Sequence, residues 1–130
     1  MNKYKKNLED FLPNKNNSFF KKFKNINISN ILSKNDVIEK IRNVMDPEIP
    51  VNLYDLGLIY NIDIDNNNNV KIEMTLTNPN CPVAGTMPEN VGKSVSSLDQ
   101  LSSVTVNLVW EPKWNKEMMS EEAKLALDIF

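Results

Sequence analysis

A lone thiol, Cys81, lies where a predicted strand gives way to a predicted helix. Thr75 and Thr77 alternate with apolar residues of that strand and therefore point to one polar side, and Cys81 follows four residues later, directly before Pro82. Ligand sites of α/β sheets form in such loops, and free amides at the start of a helical turn favour the nucleophilic, metal-binding thiolate. The polar context therefore favours a functional thiol, although a lone cysteine is also typical of a small buried hydrophobe.

Carboxylates in an earlier loop form the second candidate group. Asp46 and Glu48 are interleaved with two prolines, and Asp55 lies just before Gly57, which permits the close approach of another backbone. This pattern predicts rigid, acidic loops. They either contribute to a functional surface or only satisfy loop amides while the prolines enforce the turn.

The third candidate is an aromatic surface near the C-terminal end of the sequence. Trp110 and Trp114 bracket a proline, and Met119 follows shortly after. These side chains either cover one end of the core or form an exposed surface that binds another protein.

Composition excludes several kinds of chemistry. The 130 residues include one cysteine and no histidine, which removes a disulfide framework, Ser-His and Cys-His catalysis and an all-protein Cys/His zinc site. Residues 1–33 hold seven of the 15 basic residues, and the remainder is acidic, so nucleic-acid binding is not expected. No apolar run approaches the roughly 20 residues of a membrane span, and no secretory signal is recognisable. A cytoplasmic protein is therefore expected.

The elements that must position these residues are predicted as follows. Residues 1–33 form a variable, poorly ordered basic leader, which is alternatively an organelle transit segment, and residues 34–130 form the domain. A helix starts at Ser33, where Asp36 completes a capping box, and ends at Asp46 because Pro47 follows. Alternating residues predict a hairpin of two strands, over 58–65 and 70–77, and the asparagine run between them indicates biased composition.

The second half of the domain is predicted to hold a helix, a strand and a final helix. A helix begins near Met87, where Thr86 and Glu89 form a second capping-box pattern, a third strand runs from Val104 to Trp110, and a short helix follows Ser120. The order α-β-β-α-β-α predicts a small two-layer α/β (α+β) domain. Its mixed sheet has three to four strands with helices on one face, and its crossover joins the second and third predicted strands.

Taken together, these motifs resemble a known family. The matching residues are Asp46-Pro47-Glu48-Ile49-Pro50-Val51-Asn52, Tyr54-Asp55-Leu56-Gly57-Leu58-Ile59-Tyr60, Met74-Thr75-Leu76-Thr77 with Cys81-Pro82, and Trp110 to Trp114 running into Met119-Ser120-Glu121-Glu122-Ala123. Over residues 35–128 the chain resembles the SufT-like, PaaD-related family of iron-sulfur cluster assembly proteins. The tryptophan motif and the lack of a cysteine-bearing extension favour the SufT-like branch.

The resemblance implies an iron-sulfur assembly domain fold and a non-enzymatic maturation factor that helps deliver clusters to apoproteins. It implies a functional surface of Asp46, Glu48, Asp55, Gly57, Thr75, Thr77, Cys81 and Pro82. Its expected partners are the assembly machinery and client apoproteins, contacted through Trp110, Trp114 and Met119. A homodimer is also considered.

The number of cysteines restricts what the chain can do with iron. A stable cluster usually needs about four protein ligands, and one cysteine per chain cannot supply them. We therefore expect no stably bound cofactor, with Cys81 as a transient ligand of iron or a cluster, or as a thiol that contacts clients. The alternatives are a thiol-dependent enzyme using Cys81 with Asp46 or Asp55, and a docking scaffold without metal chemistry.

Overall fold

A computed structural model of the chain describes residues 18–23, 30–46, 49–77 and 86–129. Its elements are β1 (Ser18–Lys22), α1 (Lys34–Ile41), β2 (Ile59–Ile64), β3 (Asn69–Met74), α2 (Met87–Val95), β4 (Ser103–Leu108) and α3 (Glu121–Ile129), with a 3-10 turn at Lys116–Met118. The strands form one sheet in the order β1-β4-β3-β2. β3 and β4 are parallel, and the other two pairs are antiparallel. The predicted small α/β domain with a mixed sheet is confirmed.

The core lies between one face of the sheet and the first two helices, which contact each other. Alternate residues of β3 and β4 point into it, as the period of two requires. The aliphatic and methionine side chains that these two strands and two helices bury in the core are Val70, Ile72, Met74, Val104, Val106, Val37, Ile41, Met87, Val91 and Val95. Within the described part of the chain, no helix is long and apolar enough to cross a membrane.

The start of α1 is confirmed, and its predicted end is wrong. Ser33 caps the helix and forms the capping box with Asp36. The helix ends at Ile41 rather than at Asp46, because the chain turns back to pair with the following loop. The amide of Leu53 donates to the carbonyl of Val44 (2.9 Å), and the amide of Asp46 donates to the carbonyl of Val51 (3.1 Å).

Helix α2 begins at Met87, as predicted, with Thr86 at the N-cap position. The predicted second capping box does not form, because the Thr86 side chain makes no capping hydrogen bond. Pro88 lies in the first turn of the helix, where its missing amide costs no intrahelical hydrogen bond. The proline therefore helps to start this helix rather than interrupting it.

Strand β1 lies inside the segment that was predicted to be poorly ordered. Ser18 pairs with Asn107 and Lys22 with Ser103, and the amide of Phe23 extends the pairing by donating to the carbonyl of Ser102 (2.9 Å). An edge strand gains its hydrogen bonds from the backbone, so it forms without a long periodic pattern. Of the predicted leader, residues 1–17 and 24–29 lie outside the described residues.

Asn68 ties the hairpin turn to two other segments. Its backbone has a positive φ of 59°, a conformation that asparagine tolerates, and its side chain is fully buried. The side-chain Nδ2 donates to the carbonyls of Asn30 (2.8 Å) and Gln100 (3.0 Å), while Oδ1 accepts from the amide of Leu32 (2.9 Å). This asparagine therefore has a structural role that biased composition does not explain.

Candidate functional site

The turn Asp55-Leu56-Gly57 holds the C-terminal segment, which we define as residues 110–120. Gly57 has a φ of +81°, and a Cβ atom on it would lie 2.2 Å from the backbone oxygen of Met118. The carbonyl of Leu56 accepts from Trp114 Nε1 (2.7 Å), and the carbonyl of Asp55 accepts from the amide of Ser120 (2.8 Å). The close backbone approach predicted at Gly57 is confirmed, and its partner is the C-terminal segment.

The two tryptophans line a cleft of about 240 Å³ at the end of β3. This tryptophan cleft is formed by Thr75, Leu76, Thr77, Trp110, Glu111, Lys113 and Trp114. Thr75 is only 1% exposed and forms its floor, whereas Thr77 and both tryptophans are half-buried. Because the tryptophans also pack against the core, they cover one end of it and still present part of each ring to the cleft.

Tyr60 connects the sheet to the C-terminal segment behind this cleft. Its hydroxyl donates to the carbonyl of Pro112 (2.7 Å) and lies 3.5 Å from Met118 Sδ. Burial raises the pKa of Tyr60; a hydrogen bond from Thr75 opposes that shift, and the charge of Glu111 adds to it. Sequence reasoning did not identify Tyr60 as part of the site, because its position on the strand depends on the register shift between Ile59 and Asn61.

The described carboxylates of the acidic loops are engaged in local hydrogen bonds. Asp46 Oδ1 accepts from the amide of Ile49 (2.9 Å), and Asp55 Oδ2 accepts from Asn52 Nδ2 (2.9 Å). The guanidinium of Arg42 lies 3.9 Å from Asp55 Oδ1. These contacts fit the interpretation in which the carboxylates order their loops.

Asp55 also lines a second, shallow cleft, of about 200 Å³. This acidic-loop cleft is formed by Met45, Pro50, Val51, Asn52, Asp55, Glu122, Ala123 and Ala126. It has no lining residue in common with the tryptophan cleft among the residues the structure describes. The C-terminal segment runs from one cleft towards the other, since Trp114 lines the first and Ser120 precedes the helix that lines the second.

Three of the predicted surface residues, Glu48, Cys81 and Pro82, lie outside the described residues. The convergence of all the predicted residues on one surface therefore stays a prediction. Met119 is only 6% exposed and belongs to the core, so the exposed part of the predicted partner surface consists of the two tryptophans. In the portion of the chain with described coordinates, no group of three or more histidine, cysteine or acidic residues is arranged to hold a metal ion.

The sequence is similar to one protein family and to several known proteins. A model of a family described as "Iron-sulfur cluster assembly protein" matches residues 34–108, which include α1, α2 and strands β2 to β4. An "Fe-S protein maturation auxiliary factor" from Porphyromonas gingivalis is 50% identical over 95 residues, covering 73% of this chain and 90% of that protein. The "Fe-S protein maturation auxiliary factor SufT" of Staphylococcus aureus is 35% identical over 86 residues, 66% of this chain and 98% of that protein.

A solved structure shares the fold. The crystal structure of a domain of unknown function, DUF59, from Bacillus anthracis superposes with a TM-score of 0.72 at 41% sequence identity. The superposition covers 75% of this chain and 92% of that one. The similarity therefore extends over most of the described domain.

Proposed function

Because the chain belongs to the iron-sulfur cluster assembly protein family, we propose that it is a maturation auxiliary factor that assists the delivery of iron-sulfur clusters to apoproteins. The observation that carries this proposal is the 50% identity, over nearly the whole of the relative, to a protein named an Fe-S protein maturation auxiliary factor. The cluster is cargo in this proposal rather than a resident cofactor.

The ligand inventory supports transient handling of the cluster. The chain has one cysteine and no histidine, and a stable cluster usually needs about four ligands. Cys81 would then bind iron or a cluster briefly, with the remaining ligands supplied by carboxylates, a second subunit, a small thiol or the client. Alternatively, the thiol only contacts the client. The purified protein is expected to retain no stable cluster after anaerobic reconstitution, and one four-iron cluster held per monomer would contradict this.

The tryptophan cleft is the surface that we propose for contact with the assembly machinery or a client. Trp110 and Trp114 expose part of their rings there, and partly exposed aromatic residues are enriched in protein interfaces. Thr77 lies at the rim, and the chain continues from it to Cys81 in four residues. A partner bound in this cleft would therefore lie next to Thr77, which precedes the thiol by four residues in the sequence.

The alternative of a thiol-dependent enzyme draws less support. Asp46 accepts a hydrogen bond from the amide of Ile49 and Asp55 accepts one from Asn52 Nδ2, so each carboxylate has a structural role in its loop that does not require catalysis. A histidine, the commonest base in such enzymes, is missing from the sequence. We therefore assign a non-enzymatic role, and a catalytic turnover dependent on Cys81 would overturn that assignment.

The test combines variants with the activity of client iron-sulfur enzymes in cells. Cys81→Ser should lower client activity because it removes the thiol, and Trp110→Ala because it removes a ring that lines the cleft. Since Trp110 also packs against the core, circular dichroism must first show that its variant is folded at the assay temperature. Leu125→Ala is the matched control, since it removes an apolar side chain that is exposed on α3 and does not line the cleft. Fully active clients with both site variants would contradict the proposal. Pulldown from cells grown with labelled iron should recover cluster enzymes.

A further inference from the structure

Strand β1 covers the outer edge of β4 and lies outside residues 34–108. Every residue of β1 has a backbone partner on β4, from Ser18 opposite Asn107 to Lys22 opposite Ser103. Four of its five side chains are exposed, and only Phe19 is partly buried. The strand is thus attached by a backbone ladder on one side and by the ring of Phe19. Phe23, directly after its last residue, also packs against the core and is a second anchor.

The place that Phe19 occupies exists because residue 92 has no side chain. Gly92 is buried in α2, and a Cβ atom on it would lie 2.0 Å from the Phe19 ring. Phe19 pairs with Val106 across the strands and packs against the core. The gap at Gly92 and the edge of β4 together form a socket for an extended strand that carries one aromatic residue. We call it the edge socket.

We propose that the edge socket is a strand-addition site, and that β1 is an intramolecular strap which an extended segment of a protein partner displaces. The partner segment would pair antiparallel with β4 and place an aromatic side chain opposite Val106. Edge strands present unpaired amides and carbonyls that accept any extended chain, while the pocket beneath selects the side chain. A five-residue strap with four exposed side chains, held by Phe19 and by Phe23 at its end, opens locally at lower free energy than the rest of the sheet.

Binding of a labelled peptide with the sequence of residues 16–24 to the full-length protein tests this proposal. In the wild type the strap competes with the peptide. Phe19→Ala removes the anchor that fills the edge socket and should strengthen peptide binding at least tenfold. Phe20→Ala is the matched control, because Phe20 is 63% exposed on the other side of the strand, and it should bind as the wild type does. Adding Gly92→Ala to Phe19→Ala fills the socket and should abolish binding.

Several results would overturn the proposal. One is equal peptide binding by the wild type and Phe19→Ala, and another is binding that persists after Gly92→Ala. Hydrogen exchange gives an independent readout, since Phe19→Ala should accelerate exchange of the β4 amides that face β1 and leave β3 protected. If Phe19→Ala does not fold, Lys21→Pro releases the strap by removing a backbone donor without changing a core side chain. A wild-type dimer that dissociates with Phe19→Ala would assign the edge socket to a second copy and reject the intramolecular strap.

Discussion

Strand β1 and the C-terminal segment both lie outside residues 34–108, and they are attached to the domain in different ways. The C-terminal segment docks through contacts at particular atoms, from Trp114 Nε1 to the carbonyl of Leu56 and from the Tyr60 hydroxyl to the carbonyl of Pro112. Strand β1 is attached through a repeating ladder and the ring of Phe19. A backbone ladder can form with many sequences, whereas docking through particular side-chain atoms cannot. Only the attachment of β1 is therefore suited to exchange with a segment of a partner.

The largest expected effect comes from the glycine that receives the C-terminal segment. Gly57→Ala should lower the free energy of unfolding by about 3 kcal/mol or more, because a side chain is strained at positive φ and would collide with the rigid Met118 backbone. Urea unfolding followed by tryptophan fluorescence measures this loss.

Gly92→Ala is the matched control for that variant. Its new Cβ would collide with the ring of Phe19, and that ring can be displaced together with β1. In a helix, alanine is also more favourable than glycine by up to about 1 kcal/mol. The free energy of unfolding should therefore change by about 1 kcal/mol or less. Equal losses in the two variants would contradict the distinction between the two attachments.

These contacts also show where sequence reasoning succeeds and where it stops. The Ser33 capping box and the alternation in β3 are local patterns, and both were predicted. The edge pairing of β1 depends on a partner strand far away in the sequence, so no local pattern predicts it. The early end of α1 has the same cause, because it depends on the pairing of Val44 with Leu53.

In the candidate site, too, the residue types could be predicted and the contacts between distant residues could not. The sequence identified Gly57 as a point of close approach and Trp114 as part of an aromatic surface, but not that the two neighbourhoods meet. The role of Tyr60 depends on a register shift that no periodic pattern reveals. Residue types indicate capability, whereas a site is made by contacts between residues distant along the chain.

Asn68→Ala should give the second largest loss, about 2–3 kcal/mol in the free energy of unfolding. The variant leaves the carbonyls of Asn30 and Gln100 without their donor and places alanine at a positive φ. It would loosen the chain just before α1, next to the segment that leads back to β1. The control is Asn67→Ala, an exposed neighbour in the same turn, which should change stability by less than about 0.5 kcal/mol.

Trp114→Phe should cost about 1–2 kcal/mol of unfolding free energy, because it removes the donor to the carbonyl of Leu56 while keeping an aromatic ring. Trp110→Phe is the control, a tryptophan of the same cleft, and it should cost less. If the two variants lose equal stability, ring packing rather than the Nε1 hydrogen bond holds the C-terminal segment.

The smallest expected effect is a pH dependence of the turn that carries Asn68. Asp65 Oδ1 accepts from the amides of Asn67 and Asn69, each at 2.9 Å, and Asp65 Oδ2 accepts from Asn69 Nδ2 (3.0 Å). The hydrogen bonds from the backbone and then the side chain of Asn69 are the main causes that lower the pKa of Asp65 below its usual value. A carboxylate with a lowered pKa contributes stability that is present above its unfolded-state pKa and is lost as pH falls through its folded-state pKa. Wild-type stability should therefore decline below about pH 4, and the stability of Asp65→Asn should decline less over that range.

Asp63→Asn, which removes a carboxylate bonded to the Asn61 side chain, controls for the loss of one charge. If Asp65→Asn and Asp63→Asn change the pH profile equally, the turn is held by its backbone conformation and not by the Asp65 carboxylate.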